Sequence, residues 1–175
     1  DFNLASEIGF STYLNLSIMD SIVTITISGH NDKYVEYFNM VTEFWEYSSF
    51  VTYPTKENPT LSQLWHKDPT DKLILKFFIL LDDVEQKNGP FMYAAKSHYF
   101  GKNSRIKPQS FKEYNASRVK DSEMEKVLDK EDWISGIGKK GTIIFADTRG
   151  YHKGGYVREG QRWIMQGCYV SKNER

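Results

Sequence analysis

The feature that most constrains this chain is a succession of short apolar runs between Thr60 and Val170, punctuated by turn residues and with no helix alternating between them. Thr60 to His66 alternates apolar and polar, Leu73 to Leu81 is a continuous apolar run interrupted by Lys76, and Gln86-Lys87-Asn88-Gly89-Pro90 is a turn leading into Phe91 to Ala95. Strand patterns return at Gly141 to Asp147 and at Gln161 to Val170. Between Phe111 and Trp133 the chain turns charged, with Val119, Met124, Val127 and Leu128 at helical offsets, which predicts an amphipathic helical insert, a solvated outer helix in preference to a lid. Short strands, one insert and no βαβ rhythm predict a mainly β sandwich or barrel.

The first third is less decisive. Leu14, Ile18, Ile22 and Ile25 have roughly helical spacing, yet Ile22 to Ile27 is β-branched and alternates at period two, so both periods stand. Tyr34 to Tyr47 is aromatic and mixed in period, and Tyr53 to Pro59 is a loop. A length of 175 residues predicts one domain over 1–175, and the 15% aromatic share suits half-buried sheet surfaces better than disorder.

Charge and cysteine content exclude several function classes. Lys plus Arg and Asp plus Glu both number 23, so no basic excess is available for a phosphate backbone or an anionic membrane; neither nucleic acid nor membrane is an expected partner. No apolar run reaches spanning length. Cys168 is the single cysteine, which rules out an intrachain disulfide and a cysteine zinc cluster and predicts a reducing, cytoplasmic setting. The chain opens at Asp1 without a signal-peptide pattern and reads as a fragment or trimmed chain.

The chemistry falls to four histidines. His30 and His66 each precede an aspartate by two positions, a weak pattern alone. His30-Asn31-Asp32 lies in a Gly-Asn turn, where Asn and Asp serve backbone hydrogen bonds. His66 and Asp68 instead end an alternating segment, and residues i and i+2 of a strand share a face, so imidazole and carboxylate converge within reach of one metal ion. His98 and His152 are the candidates for a third ligand, the latter on a glycine-flanked bend after Ile143 to Asp147. Two histidines and one carboxylate with open positions form the facial arrangement of non-haem Fe(II) oxygenases.

The segment Ser62-Gln63-Leu64-Trp65-His66-Lys67-Asp68-Pro69, the strand Leu75 to Leu81, the turn Asn88-Gly89-Pro90 and Asp147 to Gly155 through Arg162 together resemble the phytanoyl-CoA dioxygenase-like family, in order over about residues 60–170. The resemblance implies a double-stranded β-helix, a cupin-like jelly roll of two facing sheets, with Fe(II) at its open end and 2-oxoglutarate as co-substrate. It puts His66, Asp68 and His152 on the family's iron triad, and Arg162 at the position of the arginine that grips the far carboxylate of the keto acid, ahead of Arg149 and Arg158. A planar, permanently charged guanidinium suits that task. Lys76, where the family pattern also has a lysine, is the second expected anchor. The implied activity is that of a dioxygenase hydroxylating a small organic substrate with dioxygen, releasing succinate and CO2. Asp68 fills the coordination position that halide would need, so hydroxylation is expected over halogenation.

Two departures stand out. Relatives carry a Pro-Gly-Ser-His or Pro-Gly-Thr-His turn where this chain has Ala95-Lys96-Ser97-His98, so a lysine replaces the glycine that permits a positive φ. By the resemblance, the chain is also expected to lack part of the N-terminal region in which the family builds helices against the larger sheet. Trp65, Trp163 and Cys168 are expected in the core, and Tyr151 is expected to pack rather than to touch substrate. The competing class is a catalytically silent jelly-roll binding module with a vestigial metal site; a hydrolase finds no Gly-x-Ser-x-Gly elbow or Cys-His pair.

Overall fold

The protein's structure, a computed structural model, describes residues 13–19, 22–28, 42–69, 74–110 and 118–171. The chain divides into two compact units, residues 1–43 with 171–175, and residues 44–170. In the first, β1 (Tyr13–Met19) and β2 (Ile22–Ser28) form an antiparallel hairpin from Tyr13 opposite Ser28 to Met19 opposite Ile22. The β-branched alternation of Ile22 to Ile27 therefore prevails over the helical spacing, as expected where branched side chains fit a pleated surface better than a helix turn.

The second unit is a jelly roll of two sheets. One has the order β3 (Thr42–Thr52), β9 (Arg162–Ser171), β4 (Ile74–Leu80), β7 (Ile143–Ala146); the other has β6 (Trp133–Gly136), β5 (Phe91–Ala94), β8 (His152–Gly154). The apolar run around Lys76 becomes the interior strand β4, antiparallel to both β7 and β9. Buried on both faces, it needs no alternation. The sheets face each other: the rings of Phe78 on β4 and Phe91 on β5 are 4.4 Å apart, and the Tyr93 hydroxyl on β5 donates to the Asp147 carbonyl beyond β7 at 2.9 Å. This is the mainly β, double-stranded β-helix fold that the resemblance implies.

Left-handed backbone at Gly89 and at Lys96 has different reasons. Gly89 has φ 63°, and a Cβ there would lie 2.5 Å from the Tyr156 carbonyl carbon, so only glycine fits. Lys96 has φ 57° although it is not a glycine. A non-glycine residue in this region costs roughly 1–2 kcal/mol, and local bonds hold it: Asn103 donates to the Lys96 carbonyl from its backbone at 2.9 Å and to the Ala95 carbonyl from its side chain at 2.8 Å.

Three expectations are corrected, and two short strands went unread. Thr60 to His66 is no strand: Leu61–Gln63 is a 3-10 turn, with the Thr60 N–H donated to Gln63 Oε1 at 3.1 Å, and only Trp65 and His66 make sheet bridges. Phe111 to Trp133 is not one amphipathic helix. Its described part, residues 118–133, has a single helical turn, α1 (Asp121–Met124), and a 3-10 turn at Lys130–Asp132. Val119, Met124 and Leu128 are buried with Trp65, Ala94 and Tyr151, so this stretch packs into the core behind β8. Trp163 is 42% exposed, because Arg162 turns inward and strand alternation sends its neighbour out, where the indole donates to Ser49 Oγ. Finally, β6 and β8 carried no readable pattern; three or four residues are too few to display a period. Among the described residues no helix is long and apolar enough to cross a membrane.

Candidate metal and keto-acid site

His66 and His152 come from segments far apart in the chain and meet as an antiparallel pair. The His66 N–H donates to the His152 carbonyl at 3.0 Å, and the His152 N–H returns the bond at 2.9 Å. Directly opposed residues project to the same face, so the two imidazoles lie 4.2 Å apart between centroids. Each ring is oriented by a local carbonyl: Leu64 O is 2.8 Å from His66 Nδ1 and Gly150 O is 3.0 Å from His152 Nδ1. A carbonyl only accepts, so each Nδ1 carries its proton and each Nε2 presents a lone pair to the cavity. Burial depresses both histidines below the usual imidazole pKa, and for His152 the facing His66 adds to the depression. Both are neutral and could serve as metal ligands.

Asp68 completes the group. Its Oδ1 is 3.9 Å from His66 Nε2 and its Oδ2 is 3.6 Å from His152 Nε2, and the three potential donor atoms fall within 4.8 Å of one another. The Asp68 N–H is donated to the Thr148 carbonyl at 2.8 Å, which ties the loop after His66 to the loop before His152. Burial alone would raise the Asp68 pKa; the Lys76 cation at its side outweighs it, lowers the pKa and holds the carboxylate ionised. The Lys76 ammonium is 2.8 Å from Oδ2 and pairs with it.

Arg162 lies on the same face as the triad. Gly154, two positions after His152 on β8, has no side chain, and the Arg162 guanidinium occupies the space: a Cβ on Gly154 would be 3.2 Å from Nη2. The side chain is buried, donates to the Gly155 carbonyl at 3.0 Å and to Thr52 Oγ1 at 3.4 Å, and leaves Nε unpartnered. No carboxylate among the described residues pairs with it, and burial lowers its pKa to about 10. A buried, unneutralised guanidinium is costly unless an anion joins it.

Triad, Lys76 and Arg162 line one cavity of about 320 Å³, walled by Phe50, Phe78, Leu80, Phe91 and Ile164, with Gln166 and Ser62 as polar members. The wall residues of β4 and β9 were legible by alternation: Lys76, Phe78 and Leu80 share one face, as do Arg162, Ile164 and Gln166. The competing residues lie elsewhere. Arg149 is engaged in a bidentate fork with Asp147, from Nε at 2.8 Å and from Nη2 at 2.5 Å. Arg158 is exposed. His98 faces Asp147, with Nδ1 3.9 Å from Oδ2, and is not in the triad group. Tyr151 and Cys168 are buried in core clusters, and His30 lies outside the described residues.

The residues present fit a divalent transition metal. Neutral imidazole and carboxylate are the donor set that non-haem Fe(II) takes, and three protein ligands leave coordination positions for a bidentate co-substrate. Asp68 Oδ2, paired with the Lys76 ammonium and 3.6 Å from His152 Nε2, is a carboxylate oxygen with a second lone pair for such an ion.

The family model described as Phytanoyl-CoA dioxygenase (PhyH) matches residues 27–162. No curated protein matches the chain. Among solved structures, the fold is similar to that of SnoK, a non-heme alpha-ketoglutarate-dependent carbocyclase from nogalamycin biosynthesis (TM-score 0.54, 18% identity, covering 78% of this chain and 53% of that one). It is also similar to EctD from S. alaskensis with bound Fe (TM-score 0.52, 18% identity, 76% and 46%). A third similar fold is HygX from Streptomyces hygroscopicus with nickel and 2-oxoglutarate bound (TM-score 0.51, 11% identity, 81% and 62%). At these identities the likeness is one of fold, and the chain spans 46% to 62% of the length of those proteins.

Proposed function

The chain belongs to the phytanoyl-CoA dioxygenase family, and from that membership we propose that it is an Fe(II)- and 2-oxoglutarate-dependent dioxygenase that hydroxylates a small organic substrate. The observation that carries this reading is the unneutralised Arg162 guanidinium in the same cavity as His66, Asp68 and His152. A metal triad alone is compatible with many reactions. A triad beside a buried cation that no carboxylate among the described residues pairs with calls for a small metal-chelating carboxylate, which 2-oxoglutarate is.

His66, Asp68 and His152 would hold the iron through both Nε2 atoms and a carboxylate oxygen. Bound Fe(II) with 2-oxoglutarate supplies the activation of dioxygen, with loss of succinate and CO2, that no side chain here provides. Arg162 receives the far carboxylate of the keto acid and, through its charge and fork geometry, sets which way the acid lies. Lys76, already against Asp68, holds that carboxylate ionised and presents a second cation to the keto acid. Phe50, Phe78 and Phe91 exclude water from the reacting end. Asp68 would supply a carboxylate donor to the iron where a halogenating site would need room for halide, which supports hydroxylation as the outcome.

The deciding experiment is anaerobic addition of Fe(II) and 2-oxoglutarate, followed by dioxygen with a panel of candidate substrates. The expected results are a weak visible metal-to-ligand charge-transfer band before oxygen and substrate-dependent succinate above the uncoupled background after it. Absence of the band would instead assign a silent binding module.

A further inference from the structure

Each histidine ligand is the centre of an aromatic–His–Lys tripeptide, Trp65-His66-Lys67 and Tyr151-His152-Lys153. Because His66 pairs with His152 in an antiparallel bridge, the pattern is self-complementary: Trp65 falls opposite Lys153, and Lys67 falls opposite Tyr151. The side chains follow this register. Lys67 Nζ lies 4.4 Å from the centroid of the Tyr151 ring, and Lys153 Nζ lies 5.1 Å from that of Trp65 and 5.8 Å from that of Trp133.

The imidazoles face the cavity; these four residues point the other way. Trp65 and Tyr151 are fully buried and Lys153 is 6% exposed. Both ammonium groups are tied down beyond the rings, Lys67 to the Ser97 carbonyl at 3.3 Å and Lys153 to Asp121 Oδ1 at 2.5 Å. The same Asp121 oxygen accepts the Trp65 indole N–H at 2.8 Å, so Lys153, Trp65 and α1 close into one unit.

The bridge itself is only one residue pair long on the His66 side. A slip of one position would carry an imidazole to the opposite face and separate the two Nε2 atoms. Cation–π contacts strengthen when desolvated, and cross-strand pairs are what specify register in a sheet. We propose that Lys67 and Lys153 are positioning residues for the iron triad: each clamps the aromatic neighbour of the opposite histidine and so fixes the register that brings both imidazoles to one face.

This inference rests on the reading that the triad binds iron. It makes a prediction opposite to that of charge alone, since removing two cations from the neighbourhood of a dication would tighten metal binding by Coulomb attraction, whereas losing the clamps weakens it. The test uses Lys67→Met and Lys153→Met, which keep the apolar stem and delete the charge, with Lys67→Arg and Lys153→Arg as conservative partners. Three quantities are measured: affinity of the folded, metal-free protein for Co(II) and, anaerobically, for Fe(II); the ligand-field spectrum of the Co(II) form; and the melting temperature without metal.

Each Met variant is expected to lose about 10-fold or more in metal affinity, the range for removing a group that orients a ligand. The Co(II) bands shift, and arginine restores most of both. Unchanged affinity and spectrum with a lowered melting temperature would make the lysines merely structural and overturn the proposal, as would tighter binding. Should Lys153→Met fail to fold, Lys67→Met, the more accessible site, decides. Wild-type protein that binds neither ion would defeat the dioxygenase reading itself, an outcome distinct from variants that bind as wild type does.

Discussion

The Lys76 ammonium stands 2.8 Å from Oδ2 of Asp68, reaching it from the middle of the otherwise apolar strand β4. Their side chains are 17% and 14% exposed, so each charge is largely out of water and each is the other's nearest compensation. The lysine that interrupts an apolar run is therefore the counter-ion of a triad member. Lys76→Met is expected to destabilise the metal-free protein by about 2–4 kcal/mol, toward the lower part of the range for breaking a buried pair because some exposure remains. Saturating divalent metal returns most of that loss, since the ion takes over the neutralisation of Asp68. Urea unfolding with and without metal checks both; equal stability of variant and wild type without metal would remove the pair from the account.

Replacement of either histidine ligand, His66→Ala or His152→Ala, is expected to abolish tight Fe(II) binding. His30→Ala leaves it unchanged. Metal content after anaerobic reconstitution and desalting is the readout, and full occupancy in the double variant of His66 and His152 would rule out the triad.

Arg162→Ala removes the one buried guanidinium in the cavity and should weaken 2-oxoglutarate binding by roughly 2–4 kcal/mol, as for truncating one partner of a buried charge pair. Iron affinity stays near the wild-type value. The charge-transfer band titrated with keto acid gives the affinity directly, and an unchanged value transfers the anchor to Lys76.

The two histidines make the metal-free protein acid-sensitive. Burial depresses both folded-state pKa values, whereas in the unfolded chain each takes up a proton near 6.5. Stability is therefore full above about pH 6.5 and declines as pH falls from there toward the depressed folded values. Asp68, also depressed, adds a further loss only below about pH 4. Melting temperatures from pH 8 to 4.5 should fall along this curve, with a shallower slope in the His66→Gln variant; parallel curves would contradict neutral buried imidazoles.

Product identity tests the role of Asp68. Once a substrate is found, unmodified protein in chloride buffer should give only the hydroxylated mass. Asp68→Ala should admit halide or lose iron, and hydroxylation at an undiminished rate in that variant would show that Asp68 is not a ligand.

Local residue order by itself determined the mainly β class and the strands β4 and β9, because strand alternation and turn residues are properties of neighbours in sequence; the candidate set of His66, Asp68, Lys76, His152 and Arg162 came from motifs read together as a family resemblance. It left β1 and β2 undecided between two periods, made a strand of the 3-10 turn before His66, turned Trp163 inward and drew one helix through residues that bury three apolar side chains separately. Those matters depend on what lies across a sheet or beneath a turn. Only the tertiary structure decided that His66 is opposite His152, that Lys76 answers Asp68 and that Lys67 and Lys153 exchange aromatic partners. The physical reason is that pairing register and burial are fixed by contacts between segments distant in sequence, where the free energy of covering an apolar face or compensating a charge outweighs local preference.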